Sequence, residues 1–144
     1  VRFGGDFGEG DALRAELERR LAELERDLAR LRGRVELGVR VLGRERHEAP
    51  TSGRAYLRDR AEEQASARRV HERLAELAEE SSVAPAARGD FLLTGSYLVQ
   101  RDGVAAFAAE VDRLAAEEPE VELVCTGPWP PYSFVDPAAS GVAA

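Results

Sequence analysis

The sequence has 144 residues, 44% of them hydrophobic, a formal charge of −7 and a pI near 5.0. That length suits one ordinary domain with a core of its own, and that composition excludes a disordered chain. The acidic balance repels a phosphate backbone, so no nucleic acid is expected as partner, and no apolar run approaches the roughly 20 residues a bilayer requires, so no membrane is expected either.

The chain opens VRFGGDFGEGD, turn-rich and acidic, without the basic start and apolar stretch of a secretory leader. It contains no Met, which predicts a fragment or processed product, and its 20 basic residues are all Arg, which we read as a codon bias. Val1 to Phe3 is an apolar start before the Gly-rich turn. From Asp11 the leucines fall at Leu13, Leu17, Leu21, Leu24, Leu28 and Leu31, the spacing of a helix of about 22 residues that Asp11 caps and Gly33 stops. The 4-3-4-3 rhythm from Leu17 also suits a coiled coil, but two heptads are few, and a helix lying on a sheet is expected.

RVELGVRVLG alternates Val35, Leu37, Val39 and Val41 with Glu36, Gly38 and Arg40, the period of a half-buried strand. After a polar stretch with His47 and Pro50, a long helix is predicted from Ser52 to about residue 81. At roughly 40 Å it is longer than a strand of about 20 Å, so part of it should overhang the sheet; its apolar positions Leu57, Ala61, Ala65, Val70, Leu74 and Leu77 are thin through the middle and better at the end. Ser81 to Asp90, with Pro85 and Gly89, reads as a loop. FLLTGSYLVQ then reads as a central strand, and a helix follows from Gly103 with the stripe Val104, Phe107, Ala108, Val111, Leu114 and Ala115, ended by Pro119. Val121, Leu123 and Cys125 alternate in a last strand that Gly127 and Pro128 stop.

The expected fold is α+β: a ferredoxin-like β-α-β, an inserted long helix over about 52–81, and a second β-α-β, sharing one mixed or antiparallel sheet covered by helices. Residues 1–135 read as a single domain and residues 136–144 as a flexible tail.

Nothing in the sequence assembles a reactive centre. His47 and His71 have neither the spacing nor the neighbours of metal ligands and read as surface residues. Cys125, the single cysteine, permits no internal disulfide, fits a reducing cytoplasm and reads as a small buried hydrophobe rather than a nucleophile. GGDFGEGD lacks the G-x-G-x-x-G register of a dinucleotide loop, and without Lys there is no P-loop. Glu117, Glu118, Glu120 and Glu122 read as a solvated run. No catalytic residue, metal or cofactor is expected.

The segment TGPWPPYSFV, Thr126 to Val135, is different. Its three prolines stiffen an extended path, and Trp129, Tyr132 and Phe134 gather large apolar side chains at one end of the chain. It reads either as a rigid strap that packs Trp129 against the body or as a preordered aromatic surface for a protein partner.

TGPWPPYSF resembles the ending of the gas vesicle protein F/L family (GvpL/GvpF). Supporting stretches follow in order: VRFG at Val1, RVELGVRV at Arg34, SGRAYL at Ser52 and LTGSYLV at Leu93. The likeness reaches about Val135 and implies the C-terminal domain of a longer protein. It also implies an accessory role in gas vesicle assembly, in the cytoplasm and on the vesicle, with the hydrophobic shell protein as partner and other accessory proteins as further candidates. The residues expected on or supporting that contact are Trp129, Pro131, Tyr132 and Phe134, with Tyr56 and Leu57 opening the long helix. The alternative is a ferredoxin-like regulatory module that binds a small ligand; an RNA-binding variant would have Tyr97 as its lone candidate for base stacking in FLLTGSYLVQ, in an acidic protein.

Overall fold

The computed structural model describes residues 7–44, 51–85 and 91–135. The apolar start at Val1 to Phe3, the polar stretch with His47 and the tail lie outside these residues. The elements in order are α1 (Phe7–Leu31), β1 (Arg34–Gly43), α2 (Gly53–Leu77), β2 (Glu80–Pro85), β3 (Phe91–Gln100), a 3-10 turn (Arg101–Gly103), α3 (Val104–Glu117), β4 (Val121–Trp129) and a second 3-10 turn (Tyr132–Phe134). They fall into two compact units, one formed by α1 and the segment from Tyr132, the other by Gly33–Pro131.

The larger unit is a four-stranded sheet in the order β2-β3-β1-β4, with every neighbouring pair antiparallel. The alternation read in β1 sets its faces. Val35, Leu37, Val39 and Val41 are buried with Tyr97 and Val99 of β3, Ala67, Val70 and Leu74 of α2, and Phe107, Val111 and Leu114 of α3. Each Val, Leu or Phe among them, fully removed from water, contributes about 1.5–3 kcal/mol. The alternate residues of β1, from Glu36 to Leu42, point to the opposite face.

Four expectations are corrected. The long helix is no insertion: α2 is the crossover from β1 to β2, the counterpart of α3 between β3 and β4. The stretch read as a loop holds β2, because an outermost strand can pair through its backbone without burying anything, and all six of its residues are exposed. The buried face of α2 is Glu63, Ser66, Ala67, Val70 and Leu74, with Leu57 and Leu77 exposed. Small Ser66 and Ala67 give that face little apolar signal in the sequence. Finally, β4 continues through Gly127 and Pro128 to Trp129. Between the pairs Gly38–Thr126 and Glu36–Trp129, β4 carries one residue more than β1, a bulge that accommodates the proline.

The caps follow local chemistry. Ser52 Oγ accepts from the Ala55 amide at 3.1 Å, and Gly33, at φ 74°, makes the left-handed turn that stops α1. In its own unit α1 starts at Phe7, four residues before Asp11. Leu31 is buried and Leu24 half-buried, but Leu13, Leu17, Leu21 and Leu28 are 57–62% exposed, so the stripe is not covered as a helix lying on a sheet would be.

Candidate functional site

The proline-rich segment begins in the larger unit as the last turn of β4. Gly127 takes φ 106°, and a Cβ there would fall 2.8 Å from the Glu36 carbonyl oxygen, so only glycine fits where β4 closes on β1. Trp129 follows, opposite Glu36 in the ladder and 55% exposed. The rigid path therefore holds the indole outward rather than into the core. Pro131, which ends this unit, is half-buried.

In the smaller unit Tyr132 is 77% exposed, whereas Phe134 is buried. Arg30, in the last turns of α1, donates from its guanidinium to the Phe134 carbonyl at 2.6 Å, which fixes the segment on α1. The Val135 amide donates to the Tyr132 carbonyl at 3.4 Å and closes the 3-10 turn. Of the predicted rings, Phe134 is the one that plugs; Trp129 and Tyr132 are presented to solvent.

Tyr56 and Leu57 are also exposed, in the first turn of α2 next to the Ser52 cap. They are not beside Trp129. Glu63 places its carboxylate where a Cβ of Gly43 would be, so the start of α2 overhangs the Gly43 end of β1, and Trp129 pairs at the Glu36 end. At about 3.4 Å per strand residue these ends are roughly 24 Å apart. The predicted residues of this unit thus form two separate apolar points.

A further apolar group escaped the sequence reading. On the sheet face away from the helices, Leu42 pairs with Phe91, and Arg40 pairs with Val124. Phe91 and Val124 are exposed, and the Arg40 guanidinium lies 6.0 Å from the Phe91 ring centroid. The signal was the phase of Val124, between Glu122 and Thr126 on the outward side of its strand. A β3 bulge hides Phe91: the ladder slips between Val41 and Leu42, so the apolar run FLL does not sit on one face.

The groups that could carry chemistry are dispersed. His71 Nδ1 lies 2.9 Å from the Tyr97 hydroxyl, in a polar contact behind the core. Cys125 is exposed, contrary to expectation. Partial desolvation, and then the nearby Asp112 carboxylate, nevertheless push its thiol up, away from the thiolate form a nucleophile needs. Among the described residues no group of three or more His, Cys, Asp or Glu is placed to hold a metal ion, and no helix is long and apolar enough to cross a membrane.

Comparison with known proteins places this architecture. The family model described as "Gas vesicle synthesis protein GvpL/GvpF" matches residues 1–56 and 53–136. The chain is 31% identical over 136 residues to gas vesicle protein F1 of Halobacterium salinarum, covering 94% of this chain and 58% of that protein. It is 35% identical over 146 residues to gas vesicle protein L of a Streptomyces species, covering 81% and 54%. The chain thus spans somewhat over half the length of the curated relatives it matches. Crystal structures of GvpF from Microcystis aeruginosa and Anabaena share the fold, with TM-scores of 0.66 and 0.65 at 14% and 15% identity. They cover 94% and 80% of this chain, and 69% and 56% of theirs. The exposed aromatic ending, the antiparallel sheet and these matches converge: the chain belongs to the gas vesicle synthesis protein GvpL/GvpF family.

Proposed function

We propose that this chain serves gas vesicle assembly by binding the hydrophobic shell protein and keeping it from aggregating until it joins the growing wall. The observation that carries the reading is the outward placement of Trp129 and Tyr132 on a proline-stiffened segment. Tryptophan and tyrosine are the side chains that most often dominate protein interfaces, and a segment already ordered loses little entropy when it docks. Pro131 supports the path and Phe134 anchors it. Tyr56 and Leu57 offer a second point of contact, distant enough from Trp129 to meet a different stretch of the same partner.

A subunit that builds a gas-facing wall must carry wide apolar surface, which associates in water unless covered. A carrier with a charge of −7 keeps such a pair dispersed. The reading places the protein in the cytoplasm and at the vesicle. We read the larger unit as ferredoxin-like, on the strength of its β-α-β-β-α-β order and the strand order β2-β3-β1-β4.

Co-expression with the shell protein tests this. The chain should retain shell protein in the soluble fraction, and Trp129→Ala with Tyr132→Ala should cut the amount captured by about tenfold or more, each truncation of such an anchor costing over about 1 kcal/mol. Capture at the unsubstituted level by a variant with unchanged circular dichroism would remove this site.

A further inference from the structure

We propose that the exposed leucine face of α1 is the seam of a parallel, in-register dimer with a second copy of this chain. Leu17, Leu21, Leu24 and Leu28 follow a 4-3-4 spacing, which puts Leu17 and Leu24 at d and Leu21 and Leu28 at a of a heptad. Leu17, Leu21 and Leu28 are mostly in water, as is Leu13, which flanks the seam; Leu24 is half-buried. Leu31, the next d position, is buried and marks where the seam ends.

Charge selects the occupant and its direction. In this heptad Arg20 and Asp27 stand at g, Glu18, Glu25 and Arg32 at e. A parallel pair brings each g residue to the e residue five positions later on the other helix. Arg20 then meets Glu25 of the second copy, and symmetry repeats that attractive contact; Asp27, the other g residue, is largely covered and lies 3.7 Å from Arg30 of its own helix, so Arg20 and Glu25 set the direction. An antiparallel pair centred on the same leucines would still oppose Arg20 to Asp27, but it would set Glu18 against Glu25 twice. Within the chain Arg20 bonds Glu16 at 2.9 Å on a helix surface in water, and such an ion pair exchanges partners at little cost. The seam is short, so the association is concentration-dependent. It involves none of Trp129, Tyr132, Tyr56 or Leu57 and stands independently of shell-protein binding.

Sedimentation equilibrium of the 144-residue chain from about 1 to about 500 μM should show the mass rising from 15.7 kDa towards twice that value. Leu21→Arg should hold it at the lower mass. Arg20→Glu alone and Glu25→Arg alone should each weaken the dimer by about tenfold, and the two together should restore it, since the pair is only exchanged. With Cys125→Ser as background, Leu21→Cys should form a symmetric disulfide on mild oxidation. A chain that stays monomeric at the highest concentration overturns the proposal. So does a dimer indifferent to Leu21→Arg, or one that the double exchange fails to restore, which would point to an antiparallel pair or to another surface.

Discussion

Tyr97 leans back over Gly95, its neighbour two positions earlier on the same face of β3, so closely that a Cβ at Gly95 would fall 2.6 Å from Cε2 and 2.7 Å from Cζ of the ring. Gly95 pairs with Val39 and with Val83, so strands on both sides stop the phenol from moving away. Gly95→Ala should therefore cost about 1–3 kcal/mol, the usual penalty of overfilling a packed site. In urea unfolding the midpoint should fall with the slope unchanged; an unaltered midpoint would mean that the ring has somewhere else to go.

The same phenol reaches His71 Nδ1 at 2.9 Å and stacks obliquely on Phe107, with centroids 5.3 Å apart. Burial pushes its pKa well above the ordinary tyrosine value. The native state thus keeps a proton that the unfolded chain gives up near pH 10, so this contribution is intact below about that pH and is lost progressively as pH rises above it towards the folded value. Tyr97→Phe should lose about 0.5–1.5 kcal/mol at neutral pH with the hydrogen bond. Its stability should then fall less steeply than that of the unsubstituted chain between about pH 9.5 and 11. Parallel alkaline profiles would show that the hydroxyl does not govern that limb.

Acid acts on a different set of groups. Glu110 of α3 accepts from Arg113 and from Arg73 of α2, and these hydrogen bonds, that from Arg113 foremost, draw its carboxyl down to about 2. Glu118, which accepts from two guanidinium nitrogens of Arg69 at 2.8 Å, is lowered too. Depressed carboxyls contribute above their unfolded pKa and lose that contribution as pH falls through the folded one. The thermal midpoint should drop between about pH 4.5 and pH 2, less so for Glu110→Gln, and less at high salt because these pairs are exposed. A profile that Glu110→Gln leaves unchanged would remove Glu110 from the account.

Ser52→Ala should cost about 1 kcal/mol, since the Ala55 amide would lose its acceptor, while Ser52→Asp should keep it. Faster hydrogen exchange at Ala55, and in the turn that carries Tyr56 and Leu57, is the local reading of the same loss. Equal exchange in both variants would mean that water caps α2 as well as Ser52 does.

Much of this was legible because burial and period agree. The alternation from Val35 to Val41 gave β1, the stripe Phe107, Val111 and Leu114 gave α3, and Ser52 marked the start of α2 within one residue. Legibility failed where an element forms without burying apolar atoms. β2 has no inward alternation to display, and Glu63 and Ser66 sit on the buried face of α2, where a pattern reader expects leucine. The aromatic ending was visible as composition, but which ring turns inward depends on the hydrogen bond from Arg30 to Phe134, a contact 104 positions apart that no local rule contains.

The two borders of the sheet bear on whether another strand can add to it. β2 offers six exposed residues and ends at Pro85, while β4 carries Glu122 and is kinked by its bulge at Pro128. Short length, carboxylates and prolines are what deny a neighbouring strand a template. A molecule with such margins resists being extended, strand by strand, into a fibril.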